Sequence, residues 1–247
     1  MFQHKKISAI IPAFNEEQSI GLVIQELQSL IDCNEQPIID EIIVCNNAST
    51  DATAHIALEL GAKVVYEPLK GYGAACLKAA TAVTDDTDIL LYIDADASSF
   101  THQAIELLAA IEAGYDLVIG SRPQGIQQKH SLTPQQIFGN WLATKLITYL
   151  WQHKTTDLGP FRAIQYSAYR QLAMQDQAFG WTIEMQIKAI QHNFKIKEVI
   201  VDSKKRIGQS KISGTLTGSI LAGLGIFNMI GKLWLKQHTY NLFNRMS

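Results

Sequence analysis

Short apolar runs alternate with helical stretches through the first half of the chain, the pattern of βαβ units that feed a parallel sheet. Ile7 to Ile11, Glu41 to Cys45, Lys63 to Val65, Ile89 to Ile93 and Asp116 to Gly120 read as successive strands. A helix is expected after the first, capped by Asn15, with Glu16 and Glu17 in its first turn and an end near Ile31. Ser49 or Thr50 caps the next, which Gly61 closes; Ser99 or Thr101 caps another, which Gly114 closes. Between them an alanine-rich helix follows the loop Lys70-Gly71-Tyr72-Gly73. Beyond Gly120 the alternation weakens. A helix from about Pro134 to Trp151, a strand within Gly159 to Ile164, helices near 167–174 and 182–192, and a strand from Lys195 to Val201 complete the pattern. A basic loop, Lys204-Lys205-Arg206, precedes a tail helix. The expectation is an α/β domain over 1–214 and an amphipathic helical tail over 215–247.

In open α/β sheets ligands bind beyond the carboxyl ends of the strands. The polar residues at those ends are Asn15, Asn46-Asn47, Lys70, Asp94-Ala95-Asp96 and Ser121-Arg122, which predicts a site along one sheet edge.

Composition narrows the function classes. With 247 residues, 47% of them hydrophobic and 18% charged, the chain can bury a sizeable core. Net charge is −2, from 21 basic against 23 acidic residues, so no electrostatic footprint for nucleic acid exists and that class is set aside. Cys33, Cys45 and Cys76 read as reduced core thiols of a cytoplasmic protein, not as a disulfide framework or zinc site. Lys5 and Lys6 precede only a short apolar run that Pro12 ends, which is no signal peptide. The uncharged stretch between Lys211 and Lys232 is rich in Gly, Ser and Thr, too weakly apolar to read as a spanning helix. Leu216, Ile220, Leu224, Phe227 and Ile230 give it one apolar stripe, with Lys232, Lys236 and His238 at the polar end. A membrane surface at the cytoplasmic face, a homo-oligomer and the protein's own core are the open destinations for that stripe.

The strongest chemical signal is Asp94-Ala95-Asp96, directly after the apolar strand Ile89 to Ile93. Carboxylates two residues apart at a strand end can share a hard divalent cation, Mg2+ or Mn2+, which in turn bridges phosphates and offsets charge on a leaving diphosphate. A helix-capping loop is the alternative. Haloacid-dehalogenase-type phosphatases also carry Asp-x-Asp after an apolar strand, but they need a further acidic pair, and Asp116, Asp157, Asp176 and Asp202 contain no neighbours. The Gly71-x-Gly73 loop lacks the third glycine of a dinucleotide fingerprint, since Cys76 stands there.

Ile11-Pro12-Ala13-Phe14-Asn15-Glu16, Asn46-Asn47-Ala48-Ser49-Thr50-Asp51, Lys70-Gly71-x-Gly73 and Asp94-x-Asp96 together resemble family-2 glycosyltransferases of the GT-A fold. Gly120-Ser121-Arg122, Gly139-Asn140, Thr156-Asp157-Leu158-Gly159-Pro160-Phe161-Arg162 and Arg206-Ile207-Gly208-Gln209-Ser210-Lys211 resemble the branch of dolichyl- and polyprenyl-phosphate sugar synthases. The resemblance spans roughly residues 5–215. It implies a metal-dependent, inverting transfer of a sugar from a nucleoside diphosphate, with a polyprenyl phosphate as acceptor. A small soluble or glycan acceptor, and a non-catalytic nucleotide-sugar-binding protein, are the alternatives.

The same resemblance implies that Pro12, Ala13 and Phe14 line the base and ribose pocket with Glu16 nearby, that Lys70 faces the nucleotide, and that Asp94, Ala95 and Asp96 meet the diphosphate. Many relatives carry Asp-Asp where this chain has Asn46-Asn47. An amide offers one donor and one acceptor, which suits uracil or thymine better than guanine, so UDP is favoured over GDP if Asn46 reads the base. Alternatively Asn46 only orders its turn. Asp157 is a candidate base or acceptor-aligning residue, or else a salt-bridge partner of Arg122 or Arg162. Glu184 stands where relatives keep a general base, and could equally hold a basic residue. Arg122, Lys129, Arg206 and Lys211 would bind phosphates electrostatically, in which case a pre-ionised acceptor needs little base catalysis. His130 reads as a surface histidine.

Overall fold

The computed structural model describes residues 5–129, 131–208 and 216–246, with side chains over 223–239 in the last of these segments. Its centre is a 7-stranded sheet in the order β3-β2-β1-β4-β6-β5-β7. The strands are β1 (Ile7–Ala13), β2 (Glu41–Asn46), β3 (Lys63–Tyr66), β4 (Ile89–Tyr92), β5 (Leu117–Ser121), β6 (Arg162–Gln165) and β7 (Ile196–Ile200). All neighbours pair in parallel except β6, which runs antiparallel to both β4 and β5. The carboxyl ends of β1, β2, β4 and β5 therefore share one edge, and the reversed β6 brings its own start, Arg162, there opposite Tyr92.

The central strands β1 and β4 are buried along their whole length, as near-continuous apolar runs covered on both faces must be. One face packs against α1 (Ile20–Gln28), α2 (Thr53–Glu59) and α4 (Ala104–Glu112). The other carries α3 (Tyr72–Ala80), α6 (Tyr166–Leu172) and α7 (Trp181–Gln191) around a fully buried Trp181. Gly61 and Gly114 close α2 and α4 with φ of +79° and +93°, as their positions predicted.

The predicted helix starts need correction. Asn15 does not cap α1; it adopts a left-handed conformation with φ of +53°, and α1 begins at Ile20, leaving Glu16 and Glu17 outside it. Its Oδ1 accepts from Thr50 N at 2.8 Å, while Ser49 Oγ accepts from Asn15 N at 3.0 Å. Ser49 therefore serves the β1 loop. α2 starts at Thr53, and its N–H bonds Asp51 Oδ1 at 3.0 Å. Thr101 does not cap α4 either: it opens a 3-10 turn before it and donates to Glu26 Oε2 at 2.5 Å. Cys45 and Cys76 are core residues as expected, but Cys33 is exposed.

Beyond β5, α5 (Pro134–Trp151) opens on a capping box formed by Thr133 and Gln136. It packs with α7 and α8 (Leu216–Met246) in a separate apolar cluster that includes Ile147, Ile183, Met229, Ile230 and Leu233. The tail stripe thus divides. Phe227 and Ile230 join this core, Leu224 is exposed, and the side chains of Leu216 and Ile220 lie outside the described residues. Among the described residues no helix is long and apolar enough to cross a membrane.

Candidate active site

The parallel strands deliver their polar ends as the register requires. Pro12 and Ala13 are buried where β1 pairs with β2, opposite Cys45 and Asn46. Phe14 is the first residue of that run to reach the surface, and Lys70 Nζ lies 4.8 Å from its ring centroid, a cation–π contact. Exposed Lys70 and half-buried Phe14 thus sit together at the rim, beside the end of β2.

The two asparagines after β2 have different duties. Asn47 is buried and structural: its Nδ2 donates to the carbonyls of Glu67 (3.1 Å) and Leu69 (2.7 Å), and its Oδ1 accepts from Gly71 N at 2.8 Å. It fastens the Lys70 loop to the sheet. Asn46 is half-buried, and its Oδ1 accepts from Ser49 N at 2.9 Å, so it orders its turn. A carbonyl oxygen keeps a second lone pair, and Asn46 Nδ2 has no hydrogen-bond partner among the described residues.

Asp94 and Asp96 follow β4, with Ala95 buried between them. Asp94 Oδ1 accepts from the Tyr72 hydroxyl at 3.1 Å. Asp96 Oδ1 accepts from Ser98 N at 3.0 Å, and its Oδ2 lies 3.3 Å from Arg206 Nη1. Burial first, and the Asp96 charge second, push the Asp94 carboxyl up to about 7, against the Tyr72 hydrogen bond and the charges of Arg122 and Arg206. A desolvated carboxylate pair with an arginine drawn onto it is a site that needs positive charge. Its hard oxygen donors fit Mg2+ or Mn2+. Among the described residues no third His, Cys, Asp or Glu joins them, so remaining ligands would come from a diphosphate and water.

The basic loop is docked onto this pair by its backbone. Ile207 N donates to Asp96 O at 2.9 Å, and Lys204 N to Ser98 O at 2.9 Å. That places Arg206 between two acids: Nη2 donates to Glu16 Oε1 at 2.7 Å while Nη1 faces Asp96. Its buried Nε has no partner among the described residues. Glu16 is buried and its Oε2 also accepts from Ser19 Oγ at 3.0 Å.

Asp157 takes the ion-pair alternative. It is fully buried, its Oδ2 accepts from Arg122 N (2.9 Å) and Nε (2.8 Å), and its Oδ1 accepts from Arg122 Nη2 (2.8 Å). Burial alone would raise this carboxyl, but the Arg122 charge and hydrogen bonds outweigh it and hold Asp157 below the usual carboxylate range. A carboxylate so committed is a poor base. The loop around it is fixed by Glu198, which accepts from Thr156 N at 2.7 Å and Thr156 Oγ1 at 2.6 Å, and by Asn140, which bonds Thr156 O and Leu158 N. Arg162 is not Asp157's partner. It is buried among the carbonyls of Leu158, Gly159 and Thr182, and burial lowers it to about 10.

Glu184, also buried, holds no basic residue of this edge. It accepts from Gln175 N (3.0 Å) and Asp176 N (2.7 Å) and pairs with Lys188 one helical turn on (2.7 Å). Lys129 is exposed, and His130 and Lys211 lie outside the described residues. The structure gives roles to two residues that the sequence names only as members of motifs: Tyr72, on Asp94, and Asn140, behind Asp157. No spacing rule points to either.

The glycosyl transferase family 2 model matches residues 8–175. A glycosyltransferase of Mycobacterium tuberculosis, itself uncharacterized, is 31% identical over 232 residues, 91% of this chain and 97% of that protein. A dolichyl-phosphate hexose transferase of Haloferax volcanii is 26% identical over 223 residues, covering 87% and 90%. In fold, the chain is similar to glucosyl-3-phosphoglycerate synthase of Mycobacterium tuberculosis, solved with Mn2+, uridine diphosphate and glucosyl-3-phosphoglycerate: TM-score 0.69, 21% identity, 93% of this chain and 81% of that one. Sheet order, the Asp94/Asp96 pair and these matches agree: the chain belongs to glycosyl transferase family 2.

Proposed function

We propose that the chain moves a hexose from a UDP-sugar to a polyprenyl phosphate, with inversion and with Mg2+ or Mn2+ on Asp94 and Asp96. The observation that carries the acceptor class is the state of the two candidate bases. Asp157 is locked to Arg122, and Glu184 to backbone N–H groups and Lys188. A sugar hydroxyl would need one of them to take its proton; a phosphate is already ionised near neutral pH and needs neither. Arg206 pairs with Asp96 and the charge of Arg122 acts on Asp94, so both would steer and hold that phosphate. The cation supplies charge neutralisation for the leaving diphosphate. Arg206 would leave Asp96 when positive charge arrives there, carrying its unpartnered Nε toward the incoming anion.

The lipid part of the reading is supported by exposed apolar side chains near this edge. Ile126, Ile137, Phe138 and Trp141 are each more than half exposed. They flank Asn140, which bonds the Asp157 loop, and Gln128, whose Oε1 accepts from Lys205 N at 3.2 Å. An apolar face next to a phosphate-binding site suits a lipid-linked phosphate and peripheral contact with a membrane at its cytoplasmic face. The Haloferax relative, by its name, acts on dolichyl phosphate. For the donor, Asn46 Nδ2 offers a uracil carbonyl a donor, and the fold relative binds uridine diphosphate. The test is transfer from radiolabelled UDP-glucose or UDP-galactose with Mn2+. Label partitioning into the organic phase with undecaprenyl phosphate supports the reading; label going only to a soluble acceptor such as phosphoglycerate overturns it.

A further inference from the structure

Tyr72 stands between the two glycines of the Lys70-Gly71-Tyr72-Gly73 loop and is the first residue of α3. Its hydroxyl reaches Asp94 Oδ1 at 3.1 Å. Its ring meets Trp181 edge-on, 6.0 Å between centroids at 67°, and Trp181 packs 4.7 Å from Tyr92, two residues before Asp94 on β4. The hydroxyl is therefore aimed by rings that belong to the core.

The backbone under Tyr72 is fixed from the opposite side. No side chain caps α3; the loop before α7 does so with carbonyls. Ala178 O accepts from Gly73 N at 3.0 Å, and Gln177 O from Ala74 N at 2.9 Å. That approach requires both glycines. A Cβ on Gly71 would stand 2.1 Å from Gln177 O, and one on Gly73 2.1 Å from Asp176 O. The same loop is held at its start by Glu184, through the N–H groups of Gln175 and Asp176.

We infer that Tyr72 is the positioning residue of the metal-binding carboxylate Asp94, and that Glu184 anchors the loop that sets it there. With Oδ1 engaged, Asp94 is held in one orientation and turns Oδ2 to the cation it shares with Asp96. Neighbouring carboxylates repel, and a fixed donor on one of them prevents the rotation that would relieve the repulsion by parting them. Donors of this kind orient ligands, and their loss weakens metal binding.

The inference rests on Asp94 and Asp96 binding the cation, and the test separates the two. Mn2+ is titrated calorimetrically into the full chain saturated with UDP. No Mn2+ binding by the native protein would remove the metal reading itself. Given native binding, Tyr72→Phe keeps the ring packing and is expected to weaken Mn2+ by roughly tenfold, with metal-free UDP affinity and Tm close to native. Native Mn2+ affinity in Tyr72→Phe overturns the inference. Glu184→Gln is expected to weaken Mn2+ severalfold and leave the pH profile of kcat unchanged. Native affinity with a lost acid limb in that profile would return Glu184 to a base and overturn the anchor.

Discussion

Arg206 holds Asp96 at 3.3 Å with one guanidinium nitrogen and Glu16 at 2.7 Å with the other. The arginine therefore competes for the carboxylate that the cation needs. Removing it as Arg206→Gln should tighten Mn2+ binding in the absence of nucleotide by about fivefold, the equivalent of the ~1 kcal/mol that a partly exposed pair contributes. The same change should raise KM for a phosphate acceptor, since the guanidinium is also its proposed partner. Electron spin resonance of free Mn2+ reads the first effect. Unchanged or weaker Mn2+ binding would show that Arg206 does not occupy the cation's place.

Replacing either Asp94 or Asp96 by Ala should cut turnover by orders of magnitude while the fold survives, and chelator should reproduce that loss in the native enzyme. Circular dichroism checks the fold and a transfer assay the activity. Full activity in excess EDTA would remove the metal from the reaction.

Asp157 makes a stability prediction where a base would make a kinetic one. Asp157→Asn leaves the Arg122 guanidinium beside a neutral group in a buried setting, and should cost about 3 kcal/mol of unfolding free energy. Because the folded carboxyl lies below its ordinary value, its stabilisation is complete above an unfolded pKa of about 4 and disappears as pH falls through the depressed folded value. Urea denaturation at pH 7 and pH 3 should therefore show the native-to-variant gap closing in acid. A large drop in kcat at native stability would instead restore the base.

Donor choice turns on one amide. Asn46→Asp keeps an oxygen for Ser49 N but removes the Nδ2 donor, and sets a carboxylate against a uracil carbonyl. UDP affinity should fall about tenfold with no gain for the metal-free protein's stability. Calorimetry showing that the native chain prefers GDP would overturn the base-reading role and leave the family intact.

The strands and the site edge were legible because they depend on local pattern: buried parallel strands are continuous apolar runs, and Asp94-Ala95-Asp96 ends one of them. Which of its alternatives each acid takes was not legible, because the partners that decide it are distant. Asp157 meets Arg122 across 35 residues, and Glu184 is occupied by backbone N–H groups, which leave no mark in composition. Asn15 failed for another reason. Asparagine serves both as a helix cap and in left-handed turns, and only the β2 loop, bonding it through Ser49 and Thr50, decides between them. Tyr72 was invisible because a hydroxyl at the start of a helix gains meaning only from what β4 places opposite it.

Asp94 should also leave a signature in the pH dependence of the metal-free protein. Burial and the neighbouring Asp96 raise its carboxyl to about 7, whereas an unfolded aspartate titrates near ~4. Between those values the folded chain holds a proton that the unfolded chain has released, so stability falls as pH rises across the window. The depressed carboxyls of Asp32, Asp51, Asp86 and Asp157 act below it and do not mask the slope. The urea midpoint of the native, metal-free protein should decline from pH 4.5 to pH 7 more steeply than that of Asp94→Asn, which has no such proton to lose. Saturating Mn2+ with UDP should flatten the native curve, because a bound cation favours the ionised carboxylate. Parallel curves for the native protein and Asp94→Asn would mean that Asp94 is ionised throughout the window and that burial and the Asp96 charge do not raise it.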